Sequence, residues 1–596
     1  MSVLETPRIY IKGEVSWDPI VTNNYDTNYD ENTGETKFPN VADRVKAFRE
    51  QAIEQTQKGG NWNPHGTHRA TFFNTSVCGF DLGAGAKTDD PFVTAGVDFT
   101  GMLVDLEPFG GFTSQLFFNA MRFGVEGGYS ILARRTARMT ARHINFARNS
   151  ANKMIAGIAS VVWQTSFAKA DGLHIESFNS DALKTLAQVI ESDDVLGLTI
   201  RINAYRTIYY NNPNLTNGSP DTRAAAQTLY AKLKGGGFQP NPARSLLVGV
   251  LGLWRKGEPA GEPGDRALVP VGQSPLGGAQ VRLGKTEVTV DLSNSVPEID
   301  KNLTKQDLGS LTLVEIDAAS QEPTTLGSFG YDAYDRAAYE SSAGLVTLPL
   351  ATALQQTTTE KYLELRTAAG SPLLTEQVLR AIPVTPNVYL DEQQDLMAKF
   401  QVYSRGKIAE TSVPVTLFKL DASGGQPDAG TKLTTDSHGV LTVPLTANAG
   451  SIYAYVPSLS ESDQPTNGIN PQLNTYMYVR VHPADEAIAQ LPPTWDNVYA
   501  KVLANWNAMA PCMDNWLKLD DPHQVRTFTA ILKLLTDPAN FEDYRFMPVT
   551  RDMSPGQRAL LYKFLDLTEV ELDRTAAQAR EPRMNFADLS RAMRRG

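Results

Sequence analysis

Val195-Leu-Gly-Leu-Thr-Ile-Arg-Ile-Asn203 and Leu246-Leu-Val-Gly-Val-Leu-Gly-Leu-Trp-Arg255 are the two stretches whose reading decides the fold. Both are short apolar runs rich in leucine and β-branched residues, bounded by polar and turn residues, as buried strands are. Each carries glycine inside the run, which weakens a strand and marks a bulge or a close approach by another backbone or a ligand. The first run leads into Tyr205, Arg206, Tyr209 and Tyr210, and the second ends at Trp254, Arg255 and Lys256. The expectation is a central strand pair of a large β domain with a polar, aromatic rim. The plainer alternative is a core sheet with ordinary snorkelling ends. The connection from Asn211 to Arg244 is long and turn-rich, and connections of that length are often functional.

The flanking sequence continues the β pattern. Arg8 to Ser16 alternates, with Ile9, Ile11 and Val15 on the apolar side, so a strand is expected that breaks at Gly13. Val41 to Gln57 has the spacing of a surface helix, and Ser177 to Ser192 that of an amphipathic helix started near Ser180. From Gln280 to Leu350 short strands recur at even spacing, the rhythm of a sandwich or barrel. Asp395 to His482 holds a second β unit similar in order to small immunoglobulin-like sandwiches, with His438 in a turn, where a local role is expected. After Ala489 the spacing becomes helical over Trp495–Trp516, Gln524–Leu535 and Pro555–Leu572, with Thr494 as a cap, and a basic tail follows from Arg574. The fold class expected is mainly β with α. A large β-sandwich or barrel-like domain with inserted helices covers 1–390, an immunoglobulin-like sandwich 391–488, and an α-helical carboxy-terminal region 489–596.

Composition sets outer bounds. The chain has 596 residues, 41% hydrophobic and 20% charged, as in globular proteins, and is too long for one core. A net charge of −11 argues against a nucleic-acid or anionic-membrane binder. The two cysteines, Cys78 and Cys512, form no zinc-ligand spacing and exclude a disulfide scaffold, which suits a reducing compartment. No apolar h-region opens the sequence and no run of about eighteen apolar residues exists, so cytoplasmic residence without a membrane span is expected.

Candidate chemistry is sparse. His65 and His68 stand three apart beside Trp62 and Arg69, but Pro64 and Gly66 place them on a loop, where that spacing says little about metal. Arg134, Arg138 and Arg142 fall four apart near His143, and on a helix they would form a basic stripe able to hold a carboxylate or phosphate. The plainer reading is a solvated face paired with acidic neighbours. Asp105 with Glu107 and Asp193 with Asp194 are carboxylate pairs of a kind found in almost any chain of this size. No dinucleotide, phosphate-loop, HExxH or GxSxG motif is present. The binding candidates are His65, His68, Arg69, Trp254 and Arg255; the metal candidates are His65, His68 and His143. No residue is assigned a catalytic role.

Several segments occur in an order that resembles one family. They are VLETPRIYIKG (3–13), DDVLGLTIRI (193–202), VGVLGLWRKGE (248–258), VTVDLSNSVP (288–297), GLVTLPL (344–350), NVYLDE (387–392) and TDPANFEDYRFMPVTRDMSPGQRALLYKFLDL (536–567). The order resembles the amino-terminal half of bacterial iminophenyl-pyruvate dimer synthases, which couple two oxidised tryptophan units in violacein and chromopyrrolate biosynthesis. Members continue into a ferritin-like helical domain where metal chemistry is expected. This sequence contains no ExxH pair of the kind a di-iron bundle needs, and its seven histidines are scattered.

Three readings follow. In the first, the chain is the non-metal half or partner subunit of a split system for tryptophan-derived or similar aromatic imino or amino acids in secondary metabolism. It then works with a separate ferritin-like or oxidase subunit, or self-associates. In the second, it is a complete enzyme holding haem or iron on His65, His68 or His143. In the third, it is a structural or binding protein, such as a toxin component or assembly subunit, without catalysis.

Overall fold

The computed structural model describes residues 2–17, 28–30, 32–55, 69–104, 114–145, 160–209, 230–231, 234–235, 243–300, 302–350, 361–421, 427–509 and 517–568. The fold is mainly β with α. The two apolar runs pair with each other: strands Val195–Tyr209 and Ala243–Arg255 run antiparallel with Ile200 opposite Leu251. Arg8–Trp17 flanks the Ala243 strand, and the order continues through Arg69–Asp81, Val97–Val104 and Gln115–Gly124. On the other side come Ser160–Ala168 and Met139–Asn145. Gln115 and Leu116 then pair with Thr140 and Met139, so these strands close into a barrel. Closure removes exposed sheet edges, and a barrel of about eight strands has an interior that side chains just fill. Ile11, Phe118, Phe167, Ile200 and Leu251 fill it here, all fully buried. Gly197 shows why glycine interrupts the first run. A Cβ there would lie 1.9 Å from the Phe167 carbonyl oxygen on the neighbouring strand, beside a register shift.

Three further units surround the barrel. Strands between Arg266 and Gln377 form an 8-stranded antiparallel sheet curled around Val281, Val290, Leu313 and Leu363. Its edges approach each other: a Cβ on Gly327 would meet Leu348 Cδ1 at 2.8 Å. The immunoglobulin-like sandwich lies between Leu379 and His482, one sheet built on Asp395–Ser404 and the other on Ser451–Ser458, with Phe400, Val402, Val443 and Val479 between them. The helices Trp495–Val498, Ala504–Met509, Pro522–Thr527, Thr529–Thr536 and Pro555–Leu565 follow. Thr494 caps the first, accepting from the Asn497 N–H at 3.3 Å. Val498, Val502, Trp506, Leu560 and Phe564 join the same apolar cluster as the barrel interior. No helix among the described residues is long and apolar enough to cross a membrane.

The outer face of the central strands is also buried, and beside an apolar patch at Val248, Val250 and Tyr205 it carries buried polar and charged groups. Along the Val195 strand, Leu198, Ile200 and Ile202 enter the barrel cluster, so the alternate residues Arg201 and Asn203 point away from it. The Arg201 guanidinium donates to Asp265 and Asp291, both at 2.8 Å, and its Nε donates to Gln164 at 3.0 Å. Burial opposes its charge, yet the two carboxylates outweigh burial and hold it above the ordinary arginine value. Arg8 donates to Asp81 at 3.0 Å and to Thr347 Oγ1, across the seam, at 2.7 Å. Glu262 stands between Arg142 and Arg380, each 3.1 Å away. These ions bind the barrel to the curled sheet and the sandwich.

Removing one partner of a buried, hydrogen-bonded ion pair leaves an uncompensated charge and costs about 3–5 kcal/mol. Arg201→Met is therefore expected to lower unfolding stability by about that amount, read from the urea midpoint, whereas Lys184→Met, at an exposed pair, changes it by less than about 1 kcal/mol. Equal small effects of the two substitutions would contradict a structural role for the seam.

Candidate functional site

Among the described residues, those singled out by sequence lie in separate parts of the fold, apart from Arg255, which pairs with Asp194. His65, His68 and Trp62 lie outside the described residues, as do Asp105 and Glu107. Arg69 opens the Arg69–Asp81 strand and His143 lies in Met139–Asn145. Trp254 and Arg255 close their strand in a local knot: Trp254 Nε1 donates to the Glu258 carbonyl at 3.1 Å, and Arg255 pairs with Asp194. The helical basic stripe is corrected, because Arg134 ends one strand, Arg138 lies in the turn and Arg142 belongs to the next strand. A spacing of four that crosses from one strand to another does not make one face. Arg138 pairs with Glu542 at 2.7 Å, and Arg142 is buried beside Glu262.

A pocket of about 160 Å³ opens where the sandwich and the helical region meet. Its sandwich wall follows from strand pairing. Asn387–Asp391 and Met477–His482 run parallel with Asp391 opposite His482. Val388, Leu390, Val479 and Val481 point into the sandwich core, which turns Tyr389, Asp391 and His482 outward on the alternating face. Behind the lining, the barrel supports it: Gln115 donates to the Tyr389 hydroxyl at 3.0 Å, and Phe117 packs under Arg551. The segment before the Pro555 helix brings Phe541, Phe546 and Arg551. Tyr389 and Phe541 meet edge to face with centroids 4.8 Å apart.

His482 acts as a clamp. Its Nδ1 is 3.3 Å from Asp391 Oδ1 and its Nε2 is 2.8 Å from the Arg551 carbonyl oxygen. Both ring nitrogens are thereby engaged, and the ring ties the sandwich to the helical region. The bond from His482 holds the Asp391 carboxyl below the ordinary aspartate value despite partial burial.

Arg551 is unusual. It is 1% exposed and its guanidinium lies 3.6 Å above the Phe117 ring. Its terminal nitrogens donate to the carbonyl oxygens of Val549 at 2.8 Å and Asp543 at 2.9 Å, and its Nε has no partner. No carboxylate among the described residues pairs with it. Burial accordingly pushes the group down to about 9. Arg558, on the Pro555 helix, also lines the pocket; its Nε is unpartnered and burial lowers it too. The pocket thus combines aromatic walls with two guanidinium groups that lack carboxylate partners. Among the described residues no group of three His, Cys, Asp or Glu comes close enough to hold a metal ion. Sequence patterns missed this site because its parts are separated by up to 170 positions and match no motif. NVYLDE and the segment around Arg551 stood out only through the family resemblance.

No protein-family model matches the chain. Among curated proteins, the 2-imino-3-(indol-3-yl)propanoate dimerase of Chromobacterium violaceum is 23% identical over 405 residues, covering 66% of this chain and 36% of that protein. The chain is distantly related to that dimerase. Solved structures matched include the FN1-FN3 domains of chicken CNTN1, 11% identical, covering 35% of this chain and 68% of that one with a TM-score of 0.13. Trypsin-activated alpha-2-macroglobulin from Escherichia coli is 10% identical, with 80% and 29% covered and a TM-score of 0.13. Scores this low define no shared fold.

The Asp391 clamp has a pH consequence. A carboxyl depressed in the folded state contributes stability that is fully present above its unfolded value, near pH 4, and is lost as pH falls through the folded value. The protein is expected to lose stability more steeply than Asp391→Asn below about pH 4. Parallel acid unfolding curves for the two proteins would show that the clamp carries no such linkage.

Proposed function

We propose that this chain is the β-rich, non-metal part of a system related to the imino-acid dimerases, acting in secondary metabolism on tryptophan-derived or similar aromatic imino or amino acids. Its place corresponds to the amino-terminal half of such proteins. A separate ferritin-like or oxidase subunit carries the oxidative chemistry, and this chain supplies the framework that holds substrate and partner. The observation that carries the reading is the 405-residue relation to a protein whose substrate is an indolyl imino acid. The junction pocket agrees with it chemically, since aromatic walls suit a ring and unpaired guanidinium groups suit a carboxylate. The relation spans 36% of the dimerase, so its substrate and reaction enter here as a proposal.

The test is isolation of the chain from its own source with whatever accompanies it, followed by metal analysis and an assay. The substrate is the indolyl imino acid generated from tryptophan by oxidation. The expected result is a metal-bearing second polypeptide and consumption of the imino acid by the complex that neither part shows alone. A chain that arrives alone and leaves the imino acid untouched overturns the reading.

A further inference from the structure

We infer that the junction pocket is a binding site for a small aromatic monocarboxylate, with the ring against Tyr389 and Phe541 and the carboxylate against Arg558. The choice of an indole among aromatic rings rests on the proposed function; the site itself rests on geometry.

Charge decides the ligand's sign. The ionisable groups lining the pocket are Arg551, Arg558, His482 and Asp391. Asp391 is engaged by His482. Arg138, which faces the same aromatic cluster, is already matched by Glu542 at 2.7 Å. Two guanidinium groups remain without an ion pair among the described residues: Arg551 donates to the Val549 and Asp543 carbonyl oxygens and Arg558 to the Met553 carbonyl oxygen at 3.4 Å, and nearby carboxylates, Asp391 for Arg558 and Glu542 and Asp543 for Arg551, attract them only at longer range. A buried cation without a counter-ion is costly, and one incoming carboxylate relieves that cost. Arg551 is sealed under Phe117 and Phe541, so it contributes through its field. Arg558 is only partly buried, so direct contact falls to it.

Shape decides the ligand's size. A cavity of about 150 Å³ accommodates one benzene ring. This pocket, at about 160 Å³ and open to solvent on one side, takes the aromatic group of one ligand molecule and leaves no room for a second molecule. Tyr389 and Phe541 present edge and face as its walls.

The test is calorimetric titration of the full chain with indole-3-propionate and 3-phenylpropionate, with indole-3-propionamide as the uncharged control. Both acids are expected to bind with 1:1 stoichiometry and the amide at least tenfold more weakly. Arg558→Gln should weaken the acids at least tenfold and leave the amide unchanged, while Arg558→Lys restores part of the affinity. Gln394→Trp, at an exposed rim position, should block both acids while shifting the unfolding midpoint no more than Gln394→Ala, which loses the same side-chain bond from the Asp391 N–H. Equal binding of acid and amide, or acid binding that survives both Arg558→Gln and Gln394→Trp, overturns the inference. Absence of acid binding in a chain that still forms the complex overturns this inference alone. Acid binding by a chain that forms no complex leaves it standing and removes the proposed function.

Discussion

The barrel meets the curled sheet and the sandwich through charge that has been taken out of water. Arg201 between Asp265 and Asp291, Arg8 beside Asp81, and Glu262 between Arg142 and Arg380 form a seam against the outer face of a barrel whose inner face is mainly apolar. Buried ions tolerate little misplacement, because their compensation depends on distance and on complete hydrogen bonding. Apolar faces alone could slide; these pairs fix the register of barrel against curled sheet and sandwich. The central strands carry both duties at once, with alternate residues feeding the apolar core and the ionic seam.

The junction pocket is a product of that fixed register. Its walls come from two sandwich strands and the helical region, which neither unit alone could align, with a barrel strand packed behind them. His482 spans two of them, bonding Asp391 on one side and the Arg551 carbonyl on the other. Phe117 on the barrel and Phe541 on the helical segment enclose the Arg551 guanidinium between them. The seam satisfies its cations with carboxylates inside the chain. The pocket does not, and that contrast marks it as a place for a ligand.

Much of the fold was legible in the sequence. The runs at 195–203 and 246–255 paired because leucine and β-branched residues bury well on a pleated surface, and Gly197 sat at a close approach. Ser180 and Thr494 capped helices, since a hydroxyl before an apolar stripe has a physical task there. Barrel closure was not legible, because the contact of Gln115 with Thr140 leaves no local pattern. The arginine spacing misled, because a period of four signals a helix only where the backbone is helical. The candidate site was almost invisible. Arg551 reads in sequence as one more cation near a carboxy-terminal helix, and only packing reveals that it lacks a carboxylate.

The central claim is that sandwich and helical region together build one ligand site, and amide hydrogen exchange with and without indole-3-propionate tests it most directly. The account predicts slower exchange, on adding the acid, in Asn387–Asp391, in Met477–His482 and in residues 538–558 together, with the curled sheet at 266–377 unchanged. Protection confined to one of these segments, or appearing instead in the curled sheet, would contradict a shared site at the junction.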